Sequence, residues 1–96
     1  MSYNSTMKTY RYIIRGMVQG VAFRYYTVKY AQNLSIRGWV KNLFNGDVEV
    51  LAQGEPENLR GFEVFLQTGP PSAIVDRVDK EEVDTEEIFP GFQINY

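Results

Sequence analysis

The strongest constraint on this chain's fold is a repeated switch of hydrophobic period, each switch marked by glycine or proline. Over residues 8–15, Tyr10, Tyr12 and Ile14 fall on one face and Arg11, Ile13 and Arg15 on the other, the two-residue period of a strand, β1. Gly16-Met17-Val18-Gln19-Gly20 interrupts that alternation, and Phe23, Thr27, Tyr30 or Ala31, and Leu34 then recur at helical spacing, which predicts helix α1. Extended character returns over residues 37–43 (β2), Asn45-Gly46 signals a hairpin turn, and Val48, Val50 and Ala52 share a face over residues 47–53 (β3). Gly54-Glu55-Pro56 opens helix α2 with a proline suited to the first turn. Leu59, Phe62 and Phe65 or Leu66 form its apolar stripe, and Gly69-Pro70-Pro71 stops it. Residues 73–83 read as a fourth strand, β4, and Phe92-Gln93-Ile94 as a short last one, β5. Residues 1–7 are polar and aperiodic and are expected to form a flexible tail, leaving residues 8–96 as a single domain.

The order βαββαβ implies two right-handed split βαβ units, an α+β fold of ferredoxin-like type. The expectation is a two-layer α/β sandwich, an antiparallel sheet with both helices on one face. If β3 lies between β1 and β2, those two strands run parallel. The loop after β1 and the end of β2 then share one edge of the sheet, two strand spacings or roughly 10 Å apart.

A length of 96 residues suits one core, and 44% hydrophobic residues are enough to fill it without covalent staples. The chain has no Cys and no His, which excludes disulfides, thiol nucleophiles, imidazole bases and the common zinc ligand sets. Neither metal nor cofactor is expected. No apolar run approaches the roughly 20 residues of a membrane span, and the first ten residues lack a signal-peptide core. The chain is expected to be a cytoplasmic monomer without membrane or nucleic-acid partners. Its net charge of −2 conceals an asymmetry: residues 1–46 carry seven Lys or Arg and no acid, and residues 47–96 carry three bases and all twelve acids. Such a split marks an anion-binding half, or it disappears if the halves interleave in space.

Gly16 to Arg24, G-M-V-Q-G-V-A-F-R, is a glycine-containing loop running into a helix N-terminus. Its free N–H groups and the helix dipole favour a phosphoryl group there, and Arg24, leaning back over the loop, adds a full charge with two-point reach. The motif lacks the G-K-[ST] of a nucleotide-binding P-loop. By itself it also reads as an ordinary strand-to-helix turn followed by a solvated arginine. Gly38-Trp39-Val40-Lys41-Asn42 places a neutral amide on the same predicted edge. Asn42 could orient a water or merely flank the hairpin. An amide is a poor base, so the first role suits only a reaction whose leaving group departs without help. Acyl phosphates meet that condition, since their carboxylate leaving group has a conjugate-acid pKa of about 4.

In carrying G-M-V-Q-G-V-A-F-R and then A-Q-N-L-S-I-R-G-W-V-K-N-L-F-N-G-D-V-E-V, the chain resembles the acylphosphatase family across Gly16 to Val50. A weaker likeness continues through Gly54, Phe65, Gly69-Pro70, Ala73, Val75 and Val78. The resemblance implies the ferredoxin-like fold, activity without a metal, and a small-molecule acyl phosphate as substrate. It also implies a phosphate held by Arg24 and by the amides of Gln19, Gly20, Val21, Ala22 and Phe23, with Asn42 orienting the attacking water. Two departures stand out: Asn45-Gly46 where Asp-Gly is usual, and Ser35-Ile36 where the family often has Gly-Leu.

A non-catalytic ligand- or RNA-binding module of the same fold is the alternative. Arg60-Gly61-Phe62-Glu63-Val64-Phe65 echoes part of an RNA-recognition motif, but it falls on α2, and a pI near 5.0 lacks a basic footprint. The acids of residues 76–87 fit no oxygen-ligand loop and read as a solvated strand end. Tyr25, Tyr26 and Tyr30 stay unassigned, and Arg15, next to the loop, is the better candidate for anion steering among Arg11, Arg15, Arg37 and Lys41.

Overall fold

Each sequence period finds its element in a computed structural model that describes residues 7–96. In chain order these are β1 (Lys8–Met17), α1 (Phe23–Asn33), β2 (Arg37–Asn42), β3 (Val48–Gly54), α2 (Pro56–Thr68), β4 (Ile74–Glu82) and β5 (Phe92–Ile94). All but the last residue of the tail expected over residues 1–7 lies outside the described residues. The alternation in the strands sends Tyr12, Ile14, Val40, Val48, Val50 and Ala52 inward. There they meet Phe23 and Ala31 from α1 and Leu59, Phe62, Phe65 and Leu66 from α2, all buried. Fully burying one such side chain is worth about 1.5–3 kcal/mol, so this interface supplies most of the drive to fold. Tyr12 also donates its hydroxyl to the Glu63 carboxylate on α2, and Lys80 from β4 closes on the same carboxylate at 2.7 Å. Burial first, and then that hydrogen bond, push the Tyr12 phenol well above its ordinary pKa.

The sheet order is β4-β1-β3-β2-β5. β3 pairs antiparallel with both β1 and β2, so β1 and β2 run parallel, as the split βαβ reading requires. The expectation of an antiparallel sheet needs one correction. β5 pairs parallel with β2, Gly38 opposite Phe92 and Val40 opposite Ile94, which makes the sheet mixed. The reason is topological. After β4 the chain crosses beneath the strand ends to the far edge and turns back, so β5 runs opposite to β4 and along β2. β1 also runs two residues beyond its expected end. A bulge between Arg15 and Gly16 lets the pairing with β4 continue to Met17 and Ile74. A side chain at Gly16 (φ 138°) would place its Cβ only 2.1 Å from the Ile74 carbonyl oxygen, so only glycine fits the bulge.

α1 ends in a Schellman arrangement. Ile36 N donates to Ala31 O (2.8 Å) and Ser35 N to Gln32 O (3.3 Å), with Ser35 left-handed at φ 56°. Here the family's usual Gly-Leu is replaced by Ser35-Ile36, and the serine accepts the conformation that glycine adopts more easily.

The charge asymmetry largely interleaves. On the helix-free face Arg11 meets Glu49 (3.6 Å) and Glu81 (3.3 Å), and Arg15 meets Asp47 (2.7 Å) and Asp79 (2.9 Å). Lys8 reaches Glu82 at 3.3 Å. Arg15 is therefore held by two carboxylates, which removes it as a steering group. Hydrogen bonds from Arg77 and then Arg15 hold Asp79 below the usual carboxylate range, and the Asp79 bond raises Arg15.

Candidate active site

Because β1 and β2 are parallel, the loop after β1 and Asn42 at the end of β2 come together at one end of the sheet. The loop is pinned at both sides: Val18 is fully buried before it, and Phe23 after it packs on Phe65 with ring centroids 5.7 Å apart. Between them Gly20 (φ 75°) and Ala22 (φ 63°) take left-handed conformations, which turn neighbouring N–H groups toward a common side. Among the described residues, the main-chain N–H groups of residues 19–25 donate to no main-chain carbonyl. α1 has neither a side-chain cap nor an acidic residue in its first turn, so its positive end is not neutralised locally.

Arg24 and Asn42 line one cavity of about 150 Å³ with Val18, Gly20, Ala22, Phe23 and Tyr25. That space is several times what one water requires and admits a phosphoryl group. Arg24 makes no ion pair among the described residues; its guanidinium lies 5.4 Å from the ring centroid of Tyr96, within cation–π range. Asn42 Oδ1 is buried with no hydrogen-bond partner among the described residues. A buried acceptor left unpaired costs about 1–3 kcal/mol, and packing alone gives no reason to keep it. The arrangement brings a cation and the Asn42 side chain to one cavity, beside main-chain amides that no main-chain carbonyl uses.

A family model described as acylphosphatase matches residues 10–94. An acylphosphatase of Vibrio vulnificus is 44% identical over 84 residues, covering 88% of this chain and 92% of that protein. Among solved structures, an acylphosphatase from Bacillus subtilis superposes with a TM-score of 0.89 at 37% identity, covering 93% of this chain and 99% of that one. One from Coxiella burnetii gives 0.88 at 38% identity, covering 94% of each chain.

The chain belongs to the acylphosphatase family.

Family membership makes it an enzyme, a hydrolase of the acylphosphatase type, and nothing favours a non-catalytic ligand- or RNA-binding module. The stretch that echoes an RNA-recognition motif lies within α2, with Phe62 and Phe65 buried. Of the loop residues expected at the site, Gly20, Ala22, Phe23 and Arg24 line the cavity beside Asn42. The side chains of Gln19 and Val21 go elsewhere. Val21 packs against the core, and Gln19 Nε2 donates to Leu43 O (2.7 Å) and Asp47 O (2.8 Å). Tyr25, unassigned from sequence, also lines the cavity, whereas Tyr30 stacks on Phe65 at 4.3 Å. Tyr25 could have been found from its place directly after Arg24 in the first turn. No local signal brings Tyr96 to Arg24, because β5 carries it there.

Proposed function

We propose that the carboxyl–phosphate bond of small acyl phosphates is hydrolysed in the cavity shared by Arg24 and Asn42. The observation that carries this reading is that the cationic Arg24 and Asn42, whose buried Oδ1 has no hydrogen-bond partner among the described residues, line one cavity. The phosphoryl oxygens are held by Arg24 and by the main-chain N–H groups of Gln19, Gly20, Val21, Ala22 and Phe23. The side-chain amide of Asn42 hydrogen-bonds the attacking water and orients the water's lone pair toward phosphorus. The water oxygen forms the new P–O bond while the acyl P–O bond breaks and its electron pair leaves with the carboxylate. Both protons of the water end on phosphate oxygens, giving dihydrogen phosphate, which then equilibrates with solvent. Because the leaving group is a weak base, no general acid is needed, and the loose transition state asks mainly for clamping and alignment. A chain with no His and no Cys can meet that demand.

We further propose that the reaction needs no metal or cofactor, and that residues 8–96 act as one domain in a cytoplasmic monomer. No helix among the described residues is long and apolar enough to cross a membrane. The test is benzoyl phosphate hydrolysis in EDTA by the parent, Arg24→Ala and Asn42→Ala proteins, each checked for folding. Rapid parental hydrolysis lost in both variants supports the site. Full turnover by Asn42→Ala, or activity that requires added Mg²⁺, overturns the corresponding part. Sedimentation of the parent tests the monomer.

A further inference from the structure

We infer that Gln19 is a positioning residue that sets the spacing between the phosphate cradle and the water held by Asn42. Its main-chain N–H belongs to the cradle loop, yet its side chain ends on the β2–β3 turn. Both hydrogens of Nε2 are used there, one to Leu43 O at 2.7 Å and one to Asp47 O at 2.8 Å. These acceptors bracket Asn42: Leu43 follows it, and Asp47 precedes Val48, the register partner of Asn42. The turn is itself braced. Leu43 N donates to Asp47 O (2.8 Å), Asp47 N donates to Asn45 Oδ1 (3.0 Å), and Arg15 Nη1 donates to the Asp47 carboxylate (2.7 Å). Gln19 therefore ties the loop that would hold phosphorus to a stiff platform that holds Asn42. In-line attack tolerates little misplacement, and an error near 1 Å lowers rates by about 10²-fold.

The inference rests on the site assigned above. Gln19→Met keeps the chain length and removes both donors. With benzoyl phosphate as substrate and inorganic phosphate as binding probe, this variant should lower kcat by about tenfold and leave phosphate affinity within about twofold. The kcat loss should vanish in an Asn42→Ala background, since both changes act on the same water. An unchanged kcat, a parallel loss of phosphate affinity, or an equal loss beside a defective Asn42→Ala overturns the inference alone. Full turnover in Asn42→Ala removes the site assignment and the inference with it. Should Gln19→Met fail to fold, Gln19→Glu provides a second reading. Its carboxylate faces two carbonyl oxygens, and protonation restores one donor. Its kcat relative to the parent should rise as the pH falls from 7 to 5; a flat ratio overturns the inference.

Discussion

The two ends of the sheet treat their polar groups in opposite ways. At the end formed by the loop after β1 and by Asn42, and among the described residues, the main-chain N–H groups of residues 19–25 meet no main-chain carbonyl and a buried side-chain oxygen has no partner. At the other end the chain from β4 to β5 passes beneath the strands and is fastened by Gln53, which is 3% exposed. Gln53 Nε2 donates to Thr9 Oγ1 (3.0 Å) and Glu87 O (2.7 Å), and its Oε1 accepts from Phe89 N (3.0 Å). Val83 N donates to Thr9 O, and Gly38 N to Gly91 O, both at 2.8 Å. Unmet polar groups lower stability and are kept where a ligand completes them; met ones hold the fold. Chemistry and stability should therefore separate between the two ends.

The largest expected effect is Arg24→Ala. Loss of the cation should lower kcat/KM by on the order of 10³-fold, with KM rising and Tm almost unchanged. Asn42→Ala should lower kcat by about 10²-fold with a small change in KM. Because it removes an unsatisfied buried oxygen, its Tm should equal or exceed that of the parent. A marked fall in Tm for either variant would break the contrast between the ends.

Gln53→Ala is the mirror experiment. Three lost hydrogen bonds at about 1 kcal/mol each should lower Tm by on the order of 10 °C, while kcat measured well below the transition stays at the parental value. A proportionate loss of kcat would show that the strap reaches the site. The smallest effect concerns Asp79. Its carboxyl is held below the usual range, so its contribution to stability is present above the unfolded value, about 3.9, and is lost as pH falls through the lower folded value. The Tm difference between the parent and Asp79→Asn should be largest near neutral pH and shrink as pH drops below about 4.

Burial is most legible in the sequence where it is periodic. Tyr12 and Ile14, Val48, Val50 and Ala52, and Leu59, Phe62 and Phe65 are buried on the faces their spacing indicates. Arg24 and Asn42 were legible at one sheet edge on the condition that β3 lies between β1 and β2, the order the sheet has. The extension of β1 to Met17 was not legible, because the bulge at Gly16 depends on the approach of Ile74, nearly sixty residues away in the chain. Arg15 looked free beside the loop because its partners Asp47 and Asp79 lie on other strands.

The sequence by itself determined the seven elements, the apolar faces that pack them, and the glycine-containing loop that leads into Arg24. Those depend on period, turn chemistry and short-range spacing, which neighbouring residues settle among themselves. Only the tertiary structure decided that β5 runs parallel to β2, that the basic and acidic halves interleave, and that Gln19 and Gln53 clasp opposite ends of the sheet. These are pairings between residues at least 24 positions apart. Their directional hydrogen bonds and charge contacts form only after the hydrophobic faces have set the register.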